Sequence, residues 1–285
     1  MKIVIASGKG GVGKSMVASS LAILFSQFYK VIAVDCDVDA PNLHLWLGVT
    51  QFDSTQKIST SEKAFIREQK SLDDSILKVC KFGAIERVGG KYRINPFLCE
   101  GCGVCKLFYP NAIELKEVKN GEIRIAKTAW NFPLISAQLY PGESGSGKIV
   151  EEIKKKAEEF NWEIQIRDAA AGIGCPVIAS LKDCDLTILI AEPTLTSFHD
   201  LKRILEVVNH FKIEWKLVIN KWNIHPKVSK QIERWAGNNF LGKISYDEKV
   251  VEALVKLKPV ITQTTLVKEE ITKIFEKLRN YLPSL

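Results

Sequence analysis

A chain of 285 residues can bury one large core, or one core with a small appended module. Hydrophobic residues make up 46 % and charged residues 26 %, which excludes a disordered or fibrous chain and fits an ordinary globular one. The formal net charge is +7, yet no run of five or six basic residues carries it, so no strong nucleic-acid or membrane signal is read from charge.

Met1 runs directly into a strand pattern, without the basic start, apolar stretch and small-residue cleavage site of a secretory signal. No apolar run approaches the roughly 20 residues that span a bilayer. A cytoplasmic location is therefore expected.

Residues 2–7 form a β-branched run, followed at once by glycines and then by a helical pattern carrying Val17, Leu21, Leu24 and Phe25. Residues 31–35 form a second buried strand that ends in Asp35-Cys36-Asp37. Residues 51–71 are polar and weakly periodic, and residues 72–120 carry four cysteines in short segments. The regular rhythm then resumes: a charged helix over 150–160, strands over 163–168 and 186–191, a helix over 198–211, a strand over 216–220 and helices over 228–237 and 268–282. Strand, crossover helix and strand in alternation predict an α/β fold with a mainly parallel sheet covered by helices on both faces. The simplest arrangement is a discontinuous domain of residues 1–50 and 121–285, interrupted by a module at 72–120.

Between the first strand and its helix, residues 8–15 read G-K-G-G-V-G-K-S and satisfy G-x-x-x-x-G-K-[ST] through Gly8, Gly13, Lys14 and Ser15. Gly10, Gly11 and Val12 complete a loop whose backbone N–H groups can converge on phosphate oxygens at a helix N-terminus. Lys14 is expected to pair with the β and γ phosphates and Ser15 to ligate magnesium. A second match to G-x-x-x-x-G-K at Gly142–Lys148 is followed by Ile149 and lacks a clear preceding strand, so it is read as a loop before a helix.

The segment Lys9-Gly10-Gly11-Val12-Gly13-Lys14-Ser15 resembles the deviant Walker A of the MinD, ParA, Mrp and nitrogenase iron-protein superfamily of P-loop NTPases. The resemblance implies a homodimer with two ATP molecules sandwiched between subunits, each Lys9 reaching the partner's nucleotide. It further implies that Asp37 positions the attacking water and that Asp168 is the Walker B carboxylate near magnesium. Gly172 would sense the γ-phosphate, and Asn220 would read the adenine edge. Ala169-Ala170-Ala171 stand where related sequences usually carry prolines. Glu192-Pro193-Thr194 ends another strand on the ligand side, without an assignable role.

Cys99-x-x-Cys102-x-x-Cys105, with Tyr109-Pro110 after it, resembles a ferredoxin run whose fourth cysteine is replaced by tyrosine. Upstream, Cys80 precedes Ala84-Ile85 as the tail of such a run would. One [4Fe–4S] cluster per chain, held by Cys80, Cys99, Cys102 and Cys105 in a ferredoxin-like module, is the expectation, with structural zinc as the alternative. Cys36 and Cys184 read as small core residues. Cys175 follows the Gly172 segment, where the nitrogenase iron protein has a cluster-ligand cysteine in a comparable place.

Three functions compete. ATP-gated electron transfer to a redox acceptor leads, followed by an iron–sulfur scaffold or carrier. Positioning on membrane or DNA, as in MinD and ParA, ranks last because a cluster has no purpose in it. The final helix, with Ile271, Ile274, Phe275, Leu278, Tyr281 and Leu282 on one side, is expected to pack on the core rather than on a membrane.

Overall fold

The computed structural model describes residues 1–281, and Leu282 of the expected final helical face lies outside the described residues. In chain order the elements are β1 (Lys2–Ser7), α1 (Lys14–Phe25), β2 (Val31–Cys36), α2 (Leu43–Trp46), β3 (Ser54–Ile58), β4 (Ser61–Ile66) and α3 (Ile76–Val79). There follow β5 (Ile85–Val88), β6 (Lys91–Ile94), α4 (Val104–Phe108), β7 (Ile113–Val118), β8 (Gly121–Lys127) and β9 (Pro133–Leu139). The remainder comprises α5 (Ser146–Ala157), β10 (Ile164–Ala171), α6 (Cys175–Leu181), β11 (Leu186–Ala191), α7 (Leu195–His210), β12 (Glu214–Asn220), α8 (Pro226–Ala236), β13 (Phe240–Ile244), α9 (Glu248–Val255) and α10 (Leu266–Tyr281).

The chain divides into two units. The first comprises Met1–Thr55, Ile123–Gln138 and the chain from Ser146 onward. Its framework is a nine-stranded sheet in the order β13-β12-β11-β1-β10-β2-β9-β8-β3. The seven strands from β13 to β9 pair in parallel throughout. Strands buried on both faces must be apolar at every position, not at alternate ones. In β1, Ile3 and Ile5 enter one core while Val4 and Ala6 enter the other. The first core also takes Val17, Leu21, Phe25, Ile271, Phe275 and Leu278, so α1 and α10 cover that face together. The second takes Val177, Phe198, Leu201, Ile204 and Ile232 from α6, α7 and α8. α1 is buried nearly all round, which suits its run of small and apolar residues.

Arg167 on β10, fully buried, donates to the carbonyls of Ser180 and Lys182 at 3.0 and 3.1 Å, and Lys154 Nζ donates to that of Ala179 at 2.8 Å. Two cations thus satisfy the last carbonyls of α6 and complement its dipole. Asp183 completes the cluster: burial alone would raise its carboxyl, but Arg167, Lys154 and Lys2 hold it well below the usual range.

The second unit is Gln56–Glu122 with Leu139–Gly145, and the 72–120 segment lies inside it. It contains two antiparallel ribbons, β4 with β7 and β5 with β6, and a small core of Ala64, Ile76, Ile85, Tyr92 and Ile113. Gly101 carries a backbone φ of 64°, and a Cβ there would lie 1.9 Å from the Glu62 carbonyl oxygen. The Gly142–Lys148 stretch follows a strand after all, since β9 ends at Leu139; its Glu143 carboxylate pairs with Lys63 at 2.8 Å.

Candidate nucleotide site

The loop after β1 leaves the sheet where the strand order reverses, between β10 and β11, the usual ligand crevice of open parallel sheets. Gly11 and Gly13 adopt φ of 77° and 96°, the left-handed region that favours glycine, and α1 begins directly behind them at Lys14. Gly8 is required for a different reason: a Cβ there would lie 2.2 Å from the carbonyl oxygen of Asp200 on α7. Gly8→Ala is expected to cost about 1–3 kcal/mol by overpacking, read as a melting temperature lower by several degrees, with weakened nucleotide binding beside it. An unchanged melting curve would show that α7 yields freely.

Asn220, at the end of β12, is 4 % exposed, and its amide nitrogen donates to the Val12 carbonyl at 2.8 Å. Its amide oxygen accepts from the Lys221 backbone N–H at 3.0 Å. The side chain expected to read adenine is thus engaged in shaping the loop.

Lys9 stands at the lip of the loop, about one third exposed, with Nζ 3.2 Å from Glu192 Oε2. Lys221 approaches the other oxygen, Oε1, at 2.6 Å and also donates to the Gly11 carbonyl at 3.2 Å. Glu192 lies just beyond β11, and its backbone N–H donates to Ser197 Oγ at 3.0 Å.

Three carboxylates lie on β2 and β10 or just beyond β2. Asp168 on β10 is 1 % exposed, and its Oδ1 is buried without a hydrogen-bond partner. Burial, with Asp37 adding to it, raises its pKa to about 7 against the opposing influence of the Ser15 hydroxyl and Lys14. Asp35 sits opposite Asp168 in the ladder between β10 and β2, fully buried, and accepts from the backbone N–H groups of Leu43 and Asp37. Burial and then the neighbouring Asp168 push Asp35 well above the usual carboxylate range. Asp37, half-buried, is raised by desolvation while Lys14 draws it down. An orphaned carboxylate oxygen beside a serine hydroxyl gives hard oxygen donors suited to magnesium, and the loop lysine beside them suits phosphate.

Gly172 has φ 89°, and its N–H donates to the Ser7 carbonyl at 3.0 Å. Ala169-Ala170-Ala171 continue β10 up to that point, which prolines could not do at every position without losing ladder donors. The N–H expected to sense a γ-phosphate is therefore bound to β1.

The four spaced cysteines do not carry the expected role. Cys80, Cys99, Cys102 and Cys105 line a cavity of about 250 Å³ in the second unit, together with apolar residues including Ala64, Ile85 and Ile94. Yet among the described residues no group of three or more His, Cys, Asp or Glu side chains is placed to hold a metal ion. Cys99 Sγ accepts from the Ala64 N–H and Cys80 Sγ from the Ala84 N–H, each at 3.4 Å. Short spacing gathers the thiols around one cavity without bringing them onto a common centre. The iron–sulfur and zinc readings are corrected accordingly. Burial pushes the Cys36 thiol up to about 12 and that of the partly buried Cys184 up to about 11, so neither is an activated thiolate. Cys175 begins α6 and is exposed.

A glycine-rich loop at the reversal point of a parallel sheet, with its lysine, serine and strand-end carboxylate, defines a P-loop nucleotide-binding protein. A family model described as the CobQ/CobB/MinD/ParA nucleotide binding domain matches residues 3–260, and the chain belongs to that family. An uncharacterized protein of Methanocaldococcus jannaschii is 37 % identical over 288 residues, covering 99 % of this chain and 98 % of that relative. Among solved structures, the cell division ATPase MinD of Pyrococcus furiosus superposes with a TM-score of 0.63 at 17 % identity, over 99 % of both chains. The septum site-determining protein MinD of Pyrococcus horikoshii, complexed with Mg-ADP, gives 0.60 at 17 % identity, over 98 % of this chain and 96 % of that one.

Family and neighbours overturn the functional expectation. The family takes in MinD and ParA, the solved neighbours include MinD and plasmid partition proteins, and neither ATP-gated electron transfer to a redox acceptor nor a cluster-carrier role is supported by them. The ferredoxin-like designation of the inserted segment falls with the metal reading. Among the described residues no helix is long and apolar enough to cross a membrane.

Proposed function

We propose that this chain is an ATP-switched positioning ATPase of the MinD/ParA type, dimeric when ATP-bound and recognised in that state by a partner protein. The observation that carries this reading is the placement of the two loop lysines. Lys14 is 8 % exposed at the start of α1 and within electrostatic reach of Asp168 and Asp37. Lys9 is about one third exposed and pairs with Glu192 at 3.2 Å rather than with Asp168 or Asp37. Two cations on one loop with different outlooks suit two nucleotides, one bound in cis and one approached in trans.

In this reading the N–H groups of Gly10, Gly11, Val12 and Gly13 and the Lys14 ammonium bind and orient the phosphates of ATP. Ser15 and Asp168 hold magnesium, which when bound neutralises charge developing on the transferring phosphoryl group. Asp37 orients the attacking water through its half-buried carboxylate, which also accepts from the Ala40 N–H. Gly172 exchanges its bond to Ser7 for one to the γ-phosphate, coupling nucleotide state to α6 through a glycine of open backbone. Lys9 of the partner stabilises the transition-state charge, as an arginine finger does, and Asn220 keeps the loop shaped and borders the adenine side.

Lys9→Ala is expected to bind ATP normally but to lose ATP-dependent dimerisation and to hydrolyse at least about 100-fold more slowly, given what a trans cation contributes. Calorimetric ATP titration, sedimentation and phosphate release read the three properties separately. Normal dimerisation and hydrolysis by this variant would overturn the trans assignment.

A further inference from the structure

We propose that a cleft beside α8 in the first unit is a second ligand site, one that takes a small phosphate monoester with an apolar or aromatic body. The cleft measures about 580 Å³, a size usual for small-molecule sites, and none of Lys14, Ser15, Asp37 and Asp168 lines it. The inference stands apart from the nucleotide switch proposed above and does not depend on Lys9 or on dimerisation.

The walls follow from the helix period. α8 turns Ile232 and Ala236 into the core, and Ser229, Lys230, Glu233 and Arg234, at three- and four-residue spacing beside them, line the cleft. Trp222, in the short turn after β12, and Phe240 and Lys243 of β13 line it as well. The indole N–H of Trp222 donates to Ser245 Oγ at 3.0 Å and lies 3.4 Å from Glu270 Oε1, so the ring is a fixed apolar surface.

Three cations meet one carboxylate here. Lys243 Nζ lies 4.3 Å from the centroid of the Trp222 ring and 3.9 Å from Glu233 Oε2, so the single acid already has a cation. Lys230 and Arg234 have no ion-pair partner among the described residues, although they stand four residues apart on one helix, where like charges repel. Arg234 falls in the last turn, where the helix dipole favours a cation; Lys230 lies a turn earlier, without that benefit.

A second observation is independent of charge. Ser229 is 2 % exposed, and its Oγ is buried without a hydrogen-bond partner among the described residues. A helical serine or threonine can return its hydroxyl to the carbonyl four residues back, as Ser180 does to Pro176 and Thr272 to Lys268. Ser229 does not, and an enclosed hydroxyl without an acceptor is costly to keep. A phosphate oxygen accepts from a serine hydroxyl, a lysine ammonium and an arginine guanidinium alike. Its dianion answers the excess of cations, and Trp222 and Phe240 cover the body that carries it. A neutral or cationic molecule would leave both the charge and the hydroxyl unmet.

The test is a calorimetric titration of the full chain with phenyl phosphate, at saturating magnesium and ADP so that the P-loop is already filled. Saturable binding of one probe per chain is expected. Lys230→Gln and Arg234→Gln, both at exposed positions, should each weaken it about three- to tenfold, the worth of a partly screened ion pair. Ser229→Ala should weaken it about two- to tenfold without lowering the melting temperature, since the hydroxyl it removes has no partner in the free chain. Glu233→Gln, which removes the one acid, should tighten it. Benzyl alcohol, a probe of similar body without charge, should not bind. Absence of saturable binding overturns the proposal, as does binding that neither Lys230→Gln nor Arg234→Gln weakens, or equal binding of benzyl alcohol. Displacement of the probe by duplex DNA, with the same two variants weakening the DNA and a steep salt dependence, would assign these cations to a polymer and overturn the small-molecule site equally.

Discussion

Lys14→Ala is expected to weaken ATP binding by at least about 30-fold while leaving the fold intact. The ammonium is nearly enclosed, lies at the first position of α1 and shares its surroundings with Asp168 and Asp37. Removing one member of an enclosed charge-assisted pair costs about 2–5 kcal/mol, roughly 30-fold to several thousand-fold in affinity. Its loss also leaves the two acids facing a polyanion without the cation between them. Calorimetric titration with ATP and magnesium gives the affinity, and a melting curve shows whether the fold has changed. Binding within threefold of the parent would place the phosphates elsewhere.

The second large effect is a pH dependence of the nucleotide-free protein. Burial raises Asp168 to about 7, whereas an unfolded chain ionises it near 4. The folded state therefore favours the protonated acid. Its contribution is fully present below about pH 4 and is lost as the pH rises through about 7, amounting to about 2–4 kcal/mol over that interval. Asp35, raised by its own burial and by Asp168, acts in the same direction. Asp168→Asn removes an ionisation that the fold disfavours, so the variant should gain in melting temperature on the parent as the pH rises from about 5 to about 8, and magnesium should no longer strengthen nucleotide binding. A constant difference between variant and parent across that range would mean that Asp168 is ionised throughout in the folded protein.

Much of the parallel sheet was legible because its strands are continuous apolar runs broken by glycines or acids. β1, β2, β11 and β12 fall where their sequences place them. β10 runs past the expected end at residue 168 because three alanines allow the ladder to continue to Gly172. β9 was hidden by its opening proline and by Ser136 and Gln138, and β3, Ser-Thr-Gln-Lys-Ile, is almost wholly exposed and carries no apolar period. The P-loop could be read because its chemistry is local. The companions of that loop are not: Glu192 meets Lys9 and Lys221 only through the order of the strands, and no spacing rule announces the meeting. Asp35 did leave a signal, an acid inside an otherwise apolar strand, two residues before the Asp37 that the family resemblance singles out. The cysteines show the opposite error. Their spacing predicted that they would be neighbours, which they are around one cavity, but convergence on a metal was an added step that their placement does not carry.

Nucleotide-controlled association is the central property of a switch of this kind. Sedimentation of the full chain should give the mass of one chain, 32.0 kDa, with magnesium and ADP, and twice that mass with magnesium and a non-hydrolysable ATP analogue. The dimer should revert to single chains when ADP replaces the analogue. A mass that is the same in both nucleotides, whether of one chain or two, would contradict the proposal that ATP switches this protein between two states.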